Sequence, residues 1–141
     1  MTWRIGEILV QRKLISWEEL NQGLEEQRKT GEFIGEVLVR RGRISKHLLY
    51  QSLAEQFGLR YVDLKRTKIN VQALRLLPQS IAQKYELIPI EFFDGKLIVA
   101  VSNPLKNWPE EEISRLTKAS VVEKVLCLPD ELKAAIQNLY G

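Results

Sequence analysis

Residues 4–27 occur again as residues 33–56. At an offset of 29 and without a gap, thirteen of the twenty-four aligned pairs are identical: Ile5/Ile34, Gly6/Gly35, Glu7/Glu36, Leu9/Leu38, Val10/Val39, Arg12/Arg41, Ile15/Ile44, Ser16/Ser45, Leu20/Leu49, Gln22/Gln51, Leu24/Leu53, Glu26/Glu55 and Gln27/Gln56. Ile8/Val37 is a near match, and five residues, Arg28 to Glu32, separate the copies and include Gly31. A repeat of this kind means one structural unit made twice, and it restricts the fold to arrangements in which two like units pack.

Each copy reads as two short helices. Ile5, Ile8 and Leu9, and then Ile34, Val37 and Leu38, fall at helical spacing and give one apolar stripe per copy. Ser16 followed by Glu19 is a capping box, which starts a second helix near Trp17; Ser45 is the equivalent cap without the glutamate. Leu20, Leu24 and Gln27 share one face of that helix, as do Leu49, Leu53 and Gln56. Four helices this short are marginal alone and must pack on one another. Two like units can pack about an approximate two-fold axis, which suits a ligand or partner of two-fold symmetry. Duplicated helical hairpins also serve as plain scaffold.

Past Gly58 the pattern changes. Tyr61-Val62-Asp63-Leu64 is a short extended piece, Asn70 caps a helix through Leu77, and Ser80 caps a turn through Tyr85. Leu87–Phe93 and Lys96–Ser102 are apolar runs joined by Asp94-Gly95, a hairpin signal. Pro109–Lys118 reads as a helix whose first turn carries Glu110, Glu111 and Glu112. Val121–Leu128 reads as a strand and Pro129–Tyr140 as a last helix. The order β-β-α-β-α implies a small sheet with helices on one face. The fold class expected is α+β, a four-short-helix tandem repeat at 1–57 packed on a three-stranded α/β subdomain at 58–141.

Composition narrows the function. At 141 residues with 45% hydrophobic residues, the chain can bury a core without staples. A net charge of +3 with scattered Lys and Arg predicts neither DNA nor RNA as a partner; the nearest to a basic patch is Arg40, Arg41 and Arg43, echoed by Arg12 and Lys13. One cysteine, Cys127, and one histidine, His47, make a disulfide or a metal site a poor expectation and suit a reducing compartment. The first residues reach charge at once and no apolar run is membrane length, so a cytoplasmic protein without membrane insertion is expected. There is no phosphate-binding Gly-x-x-x-x-Gly-Lys-Ser/Thr loop. His47 reads as a surface residue, Cys127 as core, and Glu110–Glu112 as a solvated helix start, so no catalytic residue and no cofactor are expected.

The doubled motif also carries a family likeness. Arg4-Ile5-Gly6-x-x-Leu9 with Leu20, Leu24 and Gln27, then Ile34-Gly35-x-x-Leu38 with Gly42, Leu49, Leu53 and Gln56, resembles the N-terminal domains of type II secretion and type IV pilus assembly ATPases. The members called MshEN domains carry the motif twice across a five-residue spacer, as here. The later Leu-Ile-Pro-Ile, Leu-Ile-Val-Ala-Val and closing Ile-Gln-Asn-Leu-Tyr-Gly resemble these domains as well. The resemblance implies a domain that binds cyclic di-GMP and regulates a motor ATPase. Two positions depart from the motif: Phe33 stands where the first copy has Arg4, and Lys13 where the second has Gly42.

On that reading the ligand-binding residues are Arg4, Ile5, Gly6, Leu20, Leu24, Gln27, Phe33, Ile34, Gly35, Leu49, Leu53 and Gln56. Gly6 and Gly35 would let backbone approach a phosphate or base edge, or else serve tight helix packing. Arg4 could fork onto guanine O6 and N7, or pair with a phosphate. Phe33 lacks the guanidinium but offers a ring to stack on a base. The apolar residues would lie under bases and sugars, and Gln27 and Gln56 would read a base edge or meet a phosphate oxygen. The alternative is a docking domain that links the motor ATPase to an inner-membrane assembly partner through its apolar stripes and the Arg12/Arg41 pair, without nucleotide.

Overall fold

The fold is described from a computed structural model covering residues 5–104 and 109–140. The chain divides into two compact units, Met1–Gly58 and Leu59–Gly141.

In the first unit each copy of the repeat is a helical hairpin: α1 (Ile5–Gln11) with α2 (Trp17–Thr30), and α3 (Ile34–Arg40) with α4 (Lys46–Gln56). The two N-caps are the ones the sequence announced. Ser16 Oγ accepts from the Glu19 N–H at 3.0 Å while Glu19 Oε1 accepts from the Ser16 N–H at 2.9 Å, which holds the Glu19 carboxyl below its usual range. Ser45 Oγ accepts from the Leu48 N–H at 3.2 Å with no reciprocal partner, since the third helical residue is a leucine. Gly31 closes α2 in the left-handed conformation.

The first helix of each copy ends in the same way. Leu14 N–H donates to the Leu9 carbonyl and Lys13 N–H to that of Val10; Arg43 and Gly42 repeat this with Leu38 and Val39. This crossed pair of bonds needs a left-handed residue, and Lys13 and Gly42 supply it at φ 61° and 71°. A lysine there is strained where the second copy's glycine is not. Lys13→Gly is therefore expected to raise stability by about 0.5–1 kcal/mol, the relief of strain being partly offset by the freer unfolded chain. Urea denaturation checks it; an unchanged midpoint would mean that the lysine side chain compensates for its backbone.

The second unit holds a sheet of four strands, not three. Its strands are β1 (Arg60–Tyr61), β2 (Leu87–Phe93), β3 (Lys96–Val101) and β4 (Val121–Leu126), in the order β1-β4-β3-β2. The extra strand overlaps the expected extended piece at Tyr61 only: Arg60 and Tyr61 pair in parallel with Val125 and Leu126, while 62–64 are not strand. Two residues carry no alternation by which to be read as a strand. β2 and β3 form the expected hairpin, with Asp94 and Gly95 both at positive φ. β3 and β4 are parallel and joined through α7 (Glu110–Thr117).

Two helix boundaries differ from expectation. The helix capped by Asn70 is a single turn, α5 (Val71–Leu74); beyond it the chain continues to Leu77 in tighter turns, Leu76 and Leu77 N–H donating three residues back to Ala73 and Leu74. The next helix, α6 (Gln79–Tyr85), is preceded by Pro78 in the cap position, with Ser80 inside it rather than capping it. Helices α5, α6 and α8 (Pro129–Tyr140) close one face of the sheet: Leu74, Ala82, Leu132 and Ile136 form a buried cluster with Ile88, Ile90, Ala100 and Val125. The other face is not open either, since Leu97, Val99 and Leu126, on the opposite side of the pleat, are fully buried. No helix among the described residues is long and apolar enough to cross a membrane.

Candidate functional site

The helical unit has an internal symmetry that the repeat by itself only suggested. Helix α1 packs on α4, α2 packs on α3, and α1 meets α3. Exchanging the two copies turns each of these contacts into another of the same set, so the hairpins are related by an approximate two-fold axis near α1 and α3.

The motif glycines seat leucines. A Cβ on Gly6 would come within 2.6 Å of Leu20 Cδ1, and one on Gly35 within 2.9 Å of both Leu49 methyls. The two seats are equivalent, and Leu20 and Leu49 are buried in them. Close packing inside each hairpin therefore accounts for both glycines. Ile5 and Ile34 are likewise core residues. Leu24, Leu53, Gln27 and Gln56 are half-buried, further along the same helices. Phe33 is 45% exposed, with its ring edge 2.8 Å from where a Gly35 Cβ would stand. Arg4, the remaining candidate, lies outside the described residues, as does the closing Gly141.

Sequence reasoning missed the contacts that cross between the copies. Gly23 is buried on α2 and lies against the Ile34 and Leu38 side chains of α3, 3.2 Å from where its Cβ would be. Arg12 at the end of α1 pairs with Glu55 on α4, and Arg41 at the end of α3 pairs with Glu26 on α2 at 3.6 Å. These two ion pairs are the same contact written twice, because Arg12/Arg41 and Glu26/Glu55 are both identities of the repeat. The Glu55 carboxylate holds Arg12 more firmly protonated and is itself held below the usual carboxylate range. Arg40 adds bonds to Glu26 at 2.8 Å and Glu32 at 2.6 Å, and Arg41 Nη2 donates to Gln22 at 3.4 Å. The signal was in the alignment: complementary charges retained together in both copies.

Elsewhere, His47 is exposed on the first turn of α4, and Glu110 and Glu111 are exposed at the start of α7. Cys127 is fully buried, and burial pushes its thiol up to about 12. Among the described residues no group of His, Cys, Asp and Glu could hold a metal ion. A cleft of about 400 Å³ in the second unit, lined in part by Glu86, Ser102, Asp130, Lys133 and Gln137, was not singled out from sequence.

Comparison with known proteins places this fold. The MshEN domain family matches residues 57–141. The chain belongs to the MshEN domain family. The helical repeat that precedes the matched region is covered by longer similarities. The type IV pilus assembly ATPase PilB of Myxococcus xanthus is 31% identical over all 141 residues, and that of Thermus thermophilus is 39% identical over 102 residues, 72% of the chain. This MshEN chain spans 25% of the first relative's length and 11% of the second's. A structure of MshE with cdg is similar over 98% of this chain and 99% of its own, at a TM-score of 0.81 and 28% identity. The N-terminal domain of XpsE shares the fold over 98% of this chain and 94% of its own, at a TM-score of 0.58 and 23% identity.

Proposed function

We propose that this chain is a cyclic di-GMP-binding regulatory domain of a secretion or pilus assembly ATPase, non-catalytic on its own. The observation that carries this reading is the exchange symmetry of the helical unit. Two equivalent hairpins present Leu24, Gln27, Leu53 and Gln56 in matched positions, as a ligand with two like halves requires. The similarity to MshE with cdg, where cdg denotes cyclic di-GMP, supports the same ligand.

The half-buried leucines offer apolar surface beneath bases and sugars, and the glutamines offer paired donors and acceptors. Phe33, exposed beside Gly35, provides a stacking face in the half where no guanidinium is present. Ile5, Gly6, Leu20, Ile34, Gly35 and Leu49 support these groups from the core. Arg4 enters from the sequence motif alone. Regulation follows when the ligand has different affinity for two arrangements of the domain and its motor.

The docking alternative counted Arg12 and Arg41 as partner contacts. Both are engaged in ion pairs within the chain, so no specific observation favours it.

Calorimetric titration at physiological salt tests the proposal, with cyclic di-AMP and GTP as controls. Saturable one-to-one binding of cyclic di-GMP is expected, weakened about tenfold or more in Gln27→Ala and Phe33→Ala, the size of effect that a lost stacking or paired polar contact produces. No heat and no thermal shift at millimolar ligand would reject it.

A further inference from the structure

In both copies the glutamine that ends the motif directly follows a glutamate that reaches into the other copy. Glu26 precedes Gln27 and pairs with Arg41; Glu55 precedes Gln56 and pairs with Arg12. Each pair thus ties one hairpin's second helix, beside its motif glutamine, to the end of the opposite hairpin's first. We propose that Arg12–Glu55 and Arg41–Glu26 are positioning contacts for the dinucleotide site, fixing where Gln27 and Gln56 stand relative to the opposite repeat. This rests on the cyclic di-GMP reading above.

Stability is a weak explanation for these pairs. The Arg12 and Glu55 side chains are 40% and 58% exposed and those of Arg41 and Glu26 31% and 28%, and ion pairs this open to water, the first above all, contribute little to folding. The copies have nonetheless diverged at eleven of twenty-four positions, all but the thirteen identities, while keeping both partners of both pairs. A geometric role accounts for that. A ligand spanning an approximate two-fold axis requires its two half-sites at a fixed separation, and a small displacement of a positioned group weakens binding out of proportion to the contact that held it. Arg12 and Arg41 directly follow α1 and α3, and each glutamate is the immediate chain neighbour of the glutamine it would position.

Charge reversal in the whole chain separates this from a general field effect. Cyclic di-GMP is anionic, so electrostatic attraction alone predicts weaker binding in Arg12→Glu and tighter binding in Glu55→Arg. Positioning predicts that each single reversal weakens binding by about threefold or more, and that the Arg12→Glu/Glu55→Arg double variant returns to within about twofold of the parent. Arg41→Glu should weaken binding in the same way, but swapping that pair would set an arginine at 26 against Arg40, which also bonds Glu26 at 2.8 Å. Lys65→Glu in the second unit controls for net charge. Arg12→Gln replaces the single Arg12→Glu if the latter fails to fold.

Opposite signs for the two single reversals, or a double variant no better than the worse single, would overturn the positioning role. Equal affinity in all variants would overturn it too, leaving the function intact. A parent chain that binds no cyclic di-GMP would overturn the functional reading and this inference together.

Discussion

Gly35→Val is expected to destabilise the helical unit by about 1–3 kcal/mol, with Gly6→Val behaving alike. Glycine in a helix is usually a weakness, worth about 1 kcal/mol against alanine. Here sterics reverse that sign, because a Cβ on Gly35 would stand 2.9 Å from both methyls of a fully buried Leu49. The complementary change, Leu49→Ala, is expected to cost about 2–5 kcal/mol through lost burial and the cavity left behind. The decisive measurement is the cycle with Gly35→Ala. If the seat is shared space, Gly35→Ala/Leu49→Ala in chemical denaturation should cost at least about 1 kcal/mol less than the two singles summed. Strict additivity would mean that glycine and leucine do not depend on one another.

Alkaline pH is expected to unfold the chain through the second unit. Burial, reinforced by nearby Glu131, raises the Cys127 thiol from 9.0 to about 12. Burial also raises Tyr61 and Tyr140 from 10.0 to about 12, with Glu131 adding to the effect at Tyr61. All three are acids kept neutral in the folded state. Their stabilisation is complete below pH 9 and falls as pH rises to about 12, where the unfolded chain ionises and the folded chain does not. The cysteine share alone amounts to a few kcal/mol. Urea denaturation between pH 8 and pH 11 should show the loss, and Cys127→Ala should lose stability less steeply over that range although it starts from a slightly less stable fold. Identical slopes would show that the thiol is not the group responsible.

The helical unit was legible in advance because its signals are local. Ser16-x-x-Glu19 and Ser45 each act within a few residues of themselves, and the helices they start lie where the residues said. The Asp94-Gly95 hairpin was legible for the same reason. β1 was not, because Arg60 and Tyr61 become a strand only when β4 lies beside them. The shortened α5 was not either, because whether the residues after Leu74 keep four-residue bonds or tighten to three-residue turns carries no sequence signal of its own.

The candidate site divides along the same line. Duplication is a property of the sequence, and with it came the expectation of two equivalent half-sites and the family to which the chain belongs. Which motif residues are core and which are surface was decided only by tertiary packing. Gly6 and Leu20 lie fourteen residues apart, and nothing local says that one is the seat of the other. Arg12 and Glu55 are further apart still, and a charge on a helix looks solvated until the opposite hairpin brings its partner. The sequence by itself determined the unit, its caps and its duplication, because those rest on interactions within a few residues of chain. Tertiary structure decided how the two copies face one another, because that depends on contacts between residues that only the folded chain brings together.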